Sequence, residues 1–150
     1  MWALSKLPQK IGGTGKTVEI DESMFFKRKY NVGRRLGSGW AFGGIQRDDK
    51  SKIFIVLVTD RKSETLIPLI KDYIQPGTTI ISDKWRAYFP IASEGYQHLS
   101  VNHSINLFDS DDETIHTQNI ENTWRWVKRK LRTTTKNGEK RISRIGEFLY

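Results

Sequence analysis

The sequence predicts one α/β domain: a mixed sheet, made of an antiparallel three-strand meander plus parallel strands, with flanking helices. Three observations carry this expectation. Three β-rich stretches follow one another between residues 17 and 59 with no helical pattern between them. A helix-spaced apolar stripe (Leu66, Ile67, Ile70, Ile74) then separates the third stretch from a fourth, so the fourth strand can cross over and lie parallel in the same sheet. A long second stripe (Ile120, Trp124, Val127, Leu131) gives the sheet another helix to pack against.

Element by element, residues 1–16 read as a flexible leader, because Pro8, Gly12, Gly13 and Gly15 oppose regular structure. The triplet Gly15-Lys16-Thr17 has the ending of a phosphate-binding loop, but such a loop needs a glycine five places before Gly15, where Lys10 stands. Thr17 to Phe26 alternates as a first strand. Lys27 to Gly39 is a basic loop containing Lys27, Arg28, Lys29, Arg34 and Arg35. Trp40 to Arg47 is a second strand, in which Gly43 and Gly44 allow a bulge or a close approach of another element. After an Asp48–Ser51 turn, Lys52 to Thr59 is a third strand, apolar enough to be buried on both faces. Ser63 is the expected N-cap of the helix carrying the first stripe, and Pro76-Gly77 ends it. Thr78 to Ser82 is a short fourth strand, Asp83 to Tyr88 a helix broken by Pro90, and His98 to His103 a fifth strand. An acidic loop, Leu107 to Thr114, leads to a helix from Thr117 to Arg132. The basic tail, 133–150, has room for one more helix.

Bulk composition narrows the function classes. A chain of 150 residues at 37% hydrophobic content suits one compact core, since a domain this size buries roughly 68–70% of its unfolded surface. A formal net charge of +8 and a pI near 9.8 favour a polyanionic partner, nucleic acid or an anionic membrane surface. The absence of cysteine excludes disulfide frameworks, thiol catalysis and cysteine-ligated zinc. Met1 to Gly13 lacks the apolar run of a signal peptide, and no stretch approaches the ~18 apolar residues of a membrane span. The expectation is therefore an intracellular protein with no membrane partner.

Three carboxylates then stand out. Alternation in the first strand puts Val18 and Ile20 on one face and Glu19, Asp21 and Ser23 on the other. Strands deplete aspartate, so Asp21 is either an acid facing water at a strand edge or a ligand. Asp83 follows Ile80-Ile81-Ser82 at the end of the fourth strand, where ligand groups of α/β sheets gather; the plain alternative is a helix cap. Glu121 shares a helix face with Arg125, Lys128 and Arg132, as a solvated side or as one acid beside phosphate-holding cations. Phosphodiester chemistry needs an activated nucleophilic oxygen and a stabilised leaving oxygen. Two hard cations about 3.5–4 Å apart do both jobs, and a few carboxylates suffice to hold magnesium.

Ordered motifs sharpen this. Val18-Glu19-Ile20-Asp21-Glu22-Ser23 is followed by Lys27-Arg28-Lys29-Tyr30, Gly33-Arg34-Arg35, Trp40-Ala41-Phe42-Gly43-Gly44-Ile45 and Thr59-Asp60-Arg61. Then come Ile80-Ile81-Ser82-Asp83-Lys84-Trp85-Arg86-Ala87-Tyr88, Val101-Asn102-His103-Ser104 and His116-Thr117-Gln118-Asn119-Ile120-Glu121-Asn122-Thr123-Trp124, ending in Val127-Lys128-Arg129. This set resembles the ISXO-type transposase domain, a DDE group of bacterial insertion sequences related to the eukaryotic Merlin transposons. It covers about Lys16 to Arg132.

The resemblance implies a ribonuclease-H-like fold over 17–132, with a DDE triad binding two Mg2+ or Mn2+ ions to cut and join DNA ends. It assigns Asp21 and Asp83 as catalytic metal ligands and Glu121 as the third, with Asn119 and Gln118 standing where some relatives place theirs. Lys128 matches a downstream basic position that contacts DNA. Further expected DNA contacts are Lys27, Arg28, Lys29, Arg34, Arg35, Arg125, Arg129 and Arg132. His103, His116 and Asn119 are candidates for supporting the ligands. Asp60 is expected to cap a helix rather than join the acids, and Glu22 to face away from Asp21. Trp126 is out of phase with the core stripe and is expected to be exposed.

The expected partners are transposon ends and target DNA, with a homo-oligomer forming on DNA and no small-molecule cofactor. The expected location is the nucleus in a eukaryotic host and the cytoplasm or nucleoid in a bacterial one. About 16 residues before the first strand leave little room for an end-recognition domain, so a truncated element copy is one expectation. The rivals are a domesticated, non-catalytic DNA-binding remnant and a nuclease of the same fold.

Overall fold

A sheet of five strands in the order β3-β2-β1-β4-β5 forms the centre of the molecule. The computed structural model describes residues 9–25, 39–101 and 115–132, the last two of these without side chains. The elements are β1 (Thr17–Met24), β2 (Trp40–Gln46), β3 (Ile53–Val58), α1 (Ser63–Tyr73), β4 (Thr79–Asp83), a 3-10 helix (Arg86–Glu94), β5 (Gln97–Val101) and α2 (Gln118–Arg132). The first three strands form the antiparallel meander, and β4 and β5 add in parallel to β1. The mixed α/β sheet is thus the one the strand and helix order predicts. Lys27, Arg28, Lys29, Arg34, Arg35, His103, the acidic loop and the tail lie outside the described residues.

The sheet is buried on both faces, as the unbroken apolar run of β3 predicts. Phe54 and Val58 join Val18, Ile20, Phe42 and Ile80 on one face, under α1 and the 3-10 helix. Ile55 joins Ala41 and Ile45 on the other, under Ile120, Trp124 and Val127 of α2. Trp126, off this stripe, is 54% exposed as expected. Among the described residues no helix is long and apolar enough to cross a membrane.

The two adjacent glycines of β2 permit close approach from opposite sides. A Cβ on Gly43 would lie 2.7 Å from Cη2 of Trp124, and one on Gly44 would lie 2.5 Å from Cε1 of Phe54. Gly43→Ala should therefore unseat Trp124 and destabilise the domain by about 1–3 kcal/mol, read by urea unfolding. A variant matching the wild type would show that α2 does not depend on that gap.

Several local expectations change. Lys62, not Ser63, occupies the N-cap of α1, and the Ser63 hydroxyl instead donates to the Ala87 carbonyl at 2.7 Å. Asp60 organises this start, accepting from the Lys62 N–H at 2.8 Å and the Thr65 hydroxyl at 2.7 Å, in line with its expected capping role. Pro68 sits inside α1, whose Leu66, Ile67 and Ile70 are buried. Each burial contributes roughly 1.5–3 kcal/mol, which together outweigh the ~3 kcal/mol of an interior proline. The segment expected as a helix from Asp83 to Tyr88, broken by Pro90, is a 3-10 helix from Arg86 to Glu94 that contains Pro90. The later part of the expected leader is anchored. Ile11 is buried, bridges Ile74 and exchanges backbone hydrogen bonds with Tyr73 and Gln75. One apolar residue outweighs the loosening effect of its glycine neighbours.

Candidate functional site

Sheet topology brings two of the three predicted acids together. β1 is the strand at which the sheet changes sense, antiparallel to β2 and parallel to β4. The β1–β4 register pairs Glu19 with Ile81; two residues further along both strands, Asp21 comes beside Asp83. Neighbouring strands lie about 4.7–4.9 Å apart, and period-two alternation turns both carboxylates toward the α2 face. Asp83 does not cap the following helix, whose N-cap is Trp85 with no side-chain cap bond.

This proximity has an electrostatic consequence. The Asp21 carboxyl is pushed up to about 8, first by burial, then by the negative charges of Asp83 and Glu22. The Trp124 indole acts in the opposite direction, yet its buried N–H has no hydrogen-bond partner among the described residues. Metal-free Asp21 is thus biased toward its protonated form. Two half-buried acids lie together beside the Trp124 indole.

Glu22 turns to the other face, as alternation requires. It accepts a short hydrogen bond from the Tyr88 hydroxyl, and its second oxygen lies 3.6 Å from Nη1 of Arg61. Burial pushes its carboxyl up, while Tyr88 and Arg61 pull it down. Burial and the Glu22 charge hold the Tyr88 phenol well above its ordinary range. The Arg61 guanidinium lies 3.9 Å from the Trp40 ring centroid and 4.8 Å from that of Trp85. Sequence reading missed this cluster. Its members come from five separate elements and loops, and no local spacing joins them.

Glu121 does not complete a three-acid cluster. Among the described residues no three acidic or imidazole side chains converge as for one metal ion. Its carboxylate accepts from the Thr117 hydroxyl at 3.0 Å, at the start of α2. The acid nearest that helix end is Glu19, which is fully buried. Oε1 of Glu19 accepts from the Asn119 N–H at 2.9 Å and the Ile120 N–H at 3.3 Å. Oε2 accepts from Asn119 Nδ2 at 2.6 Å and Arg47 Nε at 3.1 Å. Asn119 therefore spends its amide N–H on Glu19. His116 serves the same junction: its carbonyl accepts from Arg47 at 2.9 Å, and its Nδ1 accepts from the Gln118 N–H at 3.2 Å.

Beyond this point α2 presents cations. Arg125 and Arg129 are exposed, and Lys128 is half-buried, its Nζ 5.8 Å from the Phe25 ring just past the end of β1. The backbone of Arg132 closes α2, and its side chain lies outside the described residues.

The donor set fits a hard divalent cation: paired carboxylate oxygens, with no cysteine in the chain and with a charge repulsion that such an ion would relieve.

Residues 13–149 match the family described as ISXO2-like transposase domain. An uncharacterized transposase-like protein of Haemophilus influenzae is 28% identical over 82 residues, which are 55% of this chain and 64% of that protein. The chain thus matches less than two thirds of the length of that curated relative.

Proposed function

The chain belongs to the ISXO2-like transposase domain family, and we propose that it carries out DNA strand cleavage and strand transfer by DDE-type, metal-dependent phosphodiester chemistry. The carrying observation is the Asp21–Asp83 pair on adjacent parallel strands, with Asp21 pushed up to about 8. The strand order β3-β2-β1-β4-β5 supports a ribonuclease-H-like reading of the sheet, and the motif set supports a Merlin-related DDE group. In this reading 17–132 is the catalytic domain and the partner is DNA.

Asp21 and Asp83 would hold Mg2+ or Mn2+; Glu121, one turn into α2, is proposed as the third carboxylate from the motif resemblance alone, since no three such side chains converge among the described residues. Two such ions, when bound, activate a nucleophilic oxygen and stabilise the leaving oxygen. Binding of a cation would displace the Asp21 proton, so metal binding there would strengthen as pH rises. Arg125, Lys128 and Arg129 contact DNA phosphates, which position a duplex without reading its sequence.

The test incubates the protein with a labelled 3′-hydroxyl DNA end, a target plasmid and Mg2+ or Mn2+. Joined product is the expected result; cleavage without joining restricts the activity to a nuclease. Asp83→Asn should abolish metal-dependent nicking and leave salt-sensitive DNA binding largely intact. Undiminished nicking by that variant would sink the acid assignment.

A further inference from the structure

We propose that Arg61, set against the Trp40 and Trp85 indoles and paired with Glu22, the chain neighbour of Asp21, is a preset phosphate-binding residue for a DNA strand entering the site. The inference deepens the proposed function and rests on DNA being the substrate.

Position comes first. Trp40 begins β2 and pairs with Met24 at the end of β1 and with Val58 at the end of β3. Arg61 follows β3, and Trp85 follows Asp83 at the end of β4. All three therefore stand at the end of the sheet where β4 finishes in Asp83 and where β1 runs three residues past Asp21 to Met24. The exposed side chains of Lys62, Lys84 and Arg86 are their immediate chain neighbours, so this edge is basic around an acidic centre.

Geometry comes next. The guanidinium lies 3.9 Å from one indole centroid and 4.8 Å from the other, within cation–π range of both rings. Its ion pair with Glu22 is made through Nη1 at 3.6 Å. A guanidinium carries five N–H donors in one rigid plane, and 39% of the side chain remains exposed. Held this way, Arg61 loses little rotamer freedom when it meets a phosphate, and its fork matches two phosphate oxygens. Glu22 fixes the plane from one side, and the Tyr88 hydroxyl fixes Glu22 in turn.

A purely structural counter-ion of Glu22 would neutralise no phosphate, so its loss would leave the slope of log affinity against log salt unchanged. The experiment measures binding of a short labelled duplex by fluorescence anisotropy over a salt series, without divalent metal, alongside thermal melting. Arg61→Gln is expected to weaken binding on the order of tenfold and to make the dependence of log affinity on log salt shallower by about one. Arg61→Lys keeps the charge but lacks the planar fork. It should retain the salt dependence and still bind roughly threefold or more weakly, which also serves if Arg61→Gln fails to fold. A salt dependence unchanged in Arg61→Gln, or wild-type affinity in Arg61→Lys, overturns the proposal while leaving the proposed function standing. Wild-type protein without salt-sensitive DNA binding overturns that function, and this inference with it.

Discussion

Asp21→Asn is expected to make the metal-free protein more stable while removing the proposed metal-dependent strand cleavage. In the unfolded chain the Asp21 carboxyl titrates near 3.8, and in the folded protein it is pushed up to about 8 by burial, Asp83 and Glu22. Between those values the folded state holds a proton that the unfolded state has lost. The stability contributed by protonated Asp21 is therefore fully present below about pH 4, and it is lost as pH rises through about 8. Asparagine never ionises, is nearly isosteric, and keeps an oxygen that can accept from the Trp124 indole. The variant and wild type should melt most alike near pH 4. They should diverge as pH rises from about 4 to 8, with the variant the more stable and the Tm difference growing with pH.

Divalent metal reverses the ranking. Mg2+ or Mn2+ at pH 8 should raise the wild-type Tm by binding the folded state, and should leave Asp21→Asn nearly where it was. A variant less stable than wild type at pH 8, with no narrowing toward pH 4, would show that Asp21 is not held protonated by its neighbours. The trade of stability for a strained ligand is the ordinary pattern of active sites.

Alternation around Asp21 and the strand end before Asp83 marked both acids only weakly, each with a plainer local reading, and the ordered motif resemblance is what singled them out. The sheet was more directly legible, since β1, β2 and β3 announce themselves by local β-rich runs. Signals failed where distant contacts decide. Pro90 is a helix breaker by local rules, yet Tyr88 and Ile91 are fully buried on either side of it, and a 3-10 turn tolerates the proline between them. Ser63 looks like a cap, but Asp60 claims the helix start and frees Ser63 for Ala87. The Trp40–Arg61–Trp85 cluster has no local signature at all. Glu19 falls between these cases: alternation put it on the α2 face, but its partners lie 100 and 101 residues away.

Glu19→Ala should be the most damaging single change in the described fold. Glu19 performs from β1 the work that an N-cap performs from within a helix. Its carboxylate satisfies two of the four backbone N–H groups that α2 leaves open at its start, and its charge sits at the positive end of the helix dipole. Its other oxygen is shared by Asn119 Nδ2 and Arg47 Nε. Truncation to alanine leaves the Arg47 guanidinium partly buried beside orphaned donors. Breaking such a pair costs about 3–5 kcal/mol, a large share of the ~5–15 kcal/mol that holds an ordinary domain together. Glu19→Gln retains shape and one acceptor, but turns an amide N–H toward other donors; about 1–3 kcal/mol is expected. Urea unfolding measures both. Hydrogen exchange separates this cause from general damage: in Glu19→Gln the Asn119 and Ile120 amides should lose protection before the sheet amides of β1 and β4. Uniform loss of protection, or an alanine variant within about 0.5 kcal/mol of wild type, would remove Glu19 from this role. The consequence reaches the acids, because Glu19 stands two residues before Asp21 and its partner Asn119 stands two before Glu121. One buried carboxylate thus fixes how the strand bearing Asp21 meets the helix bearing Glu121.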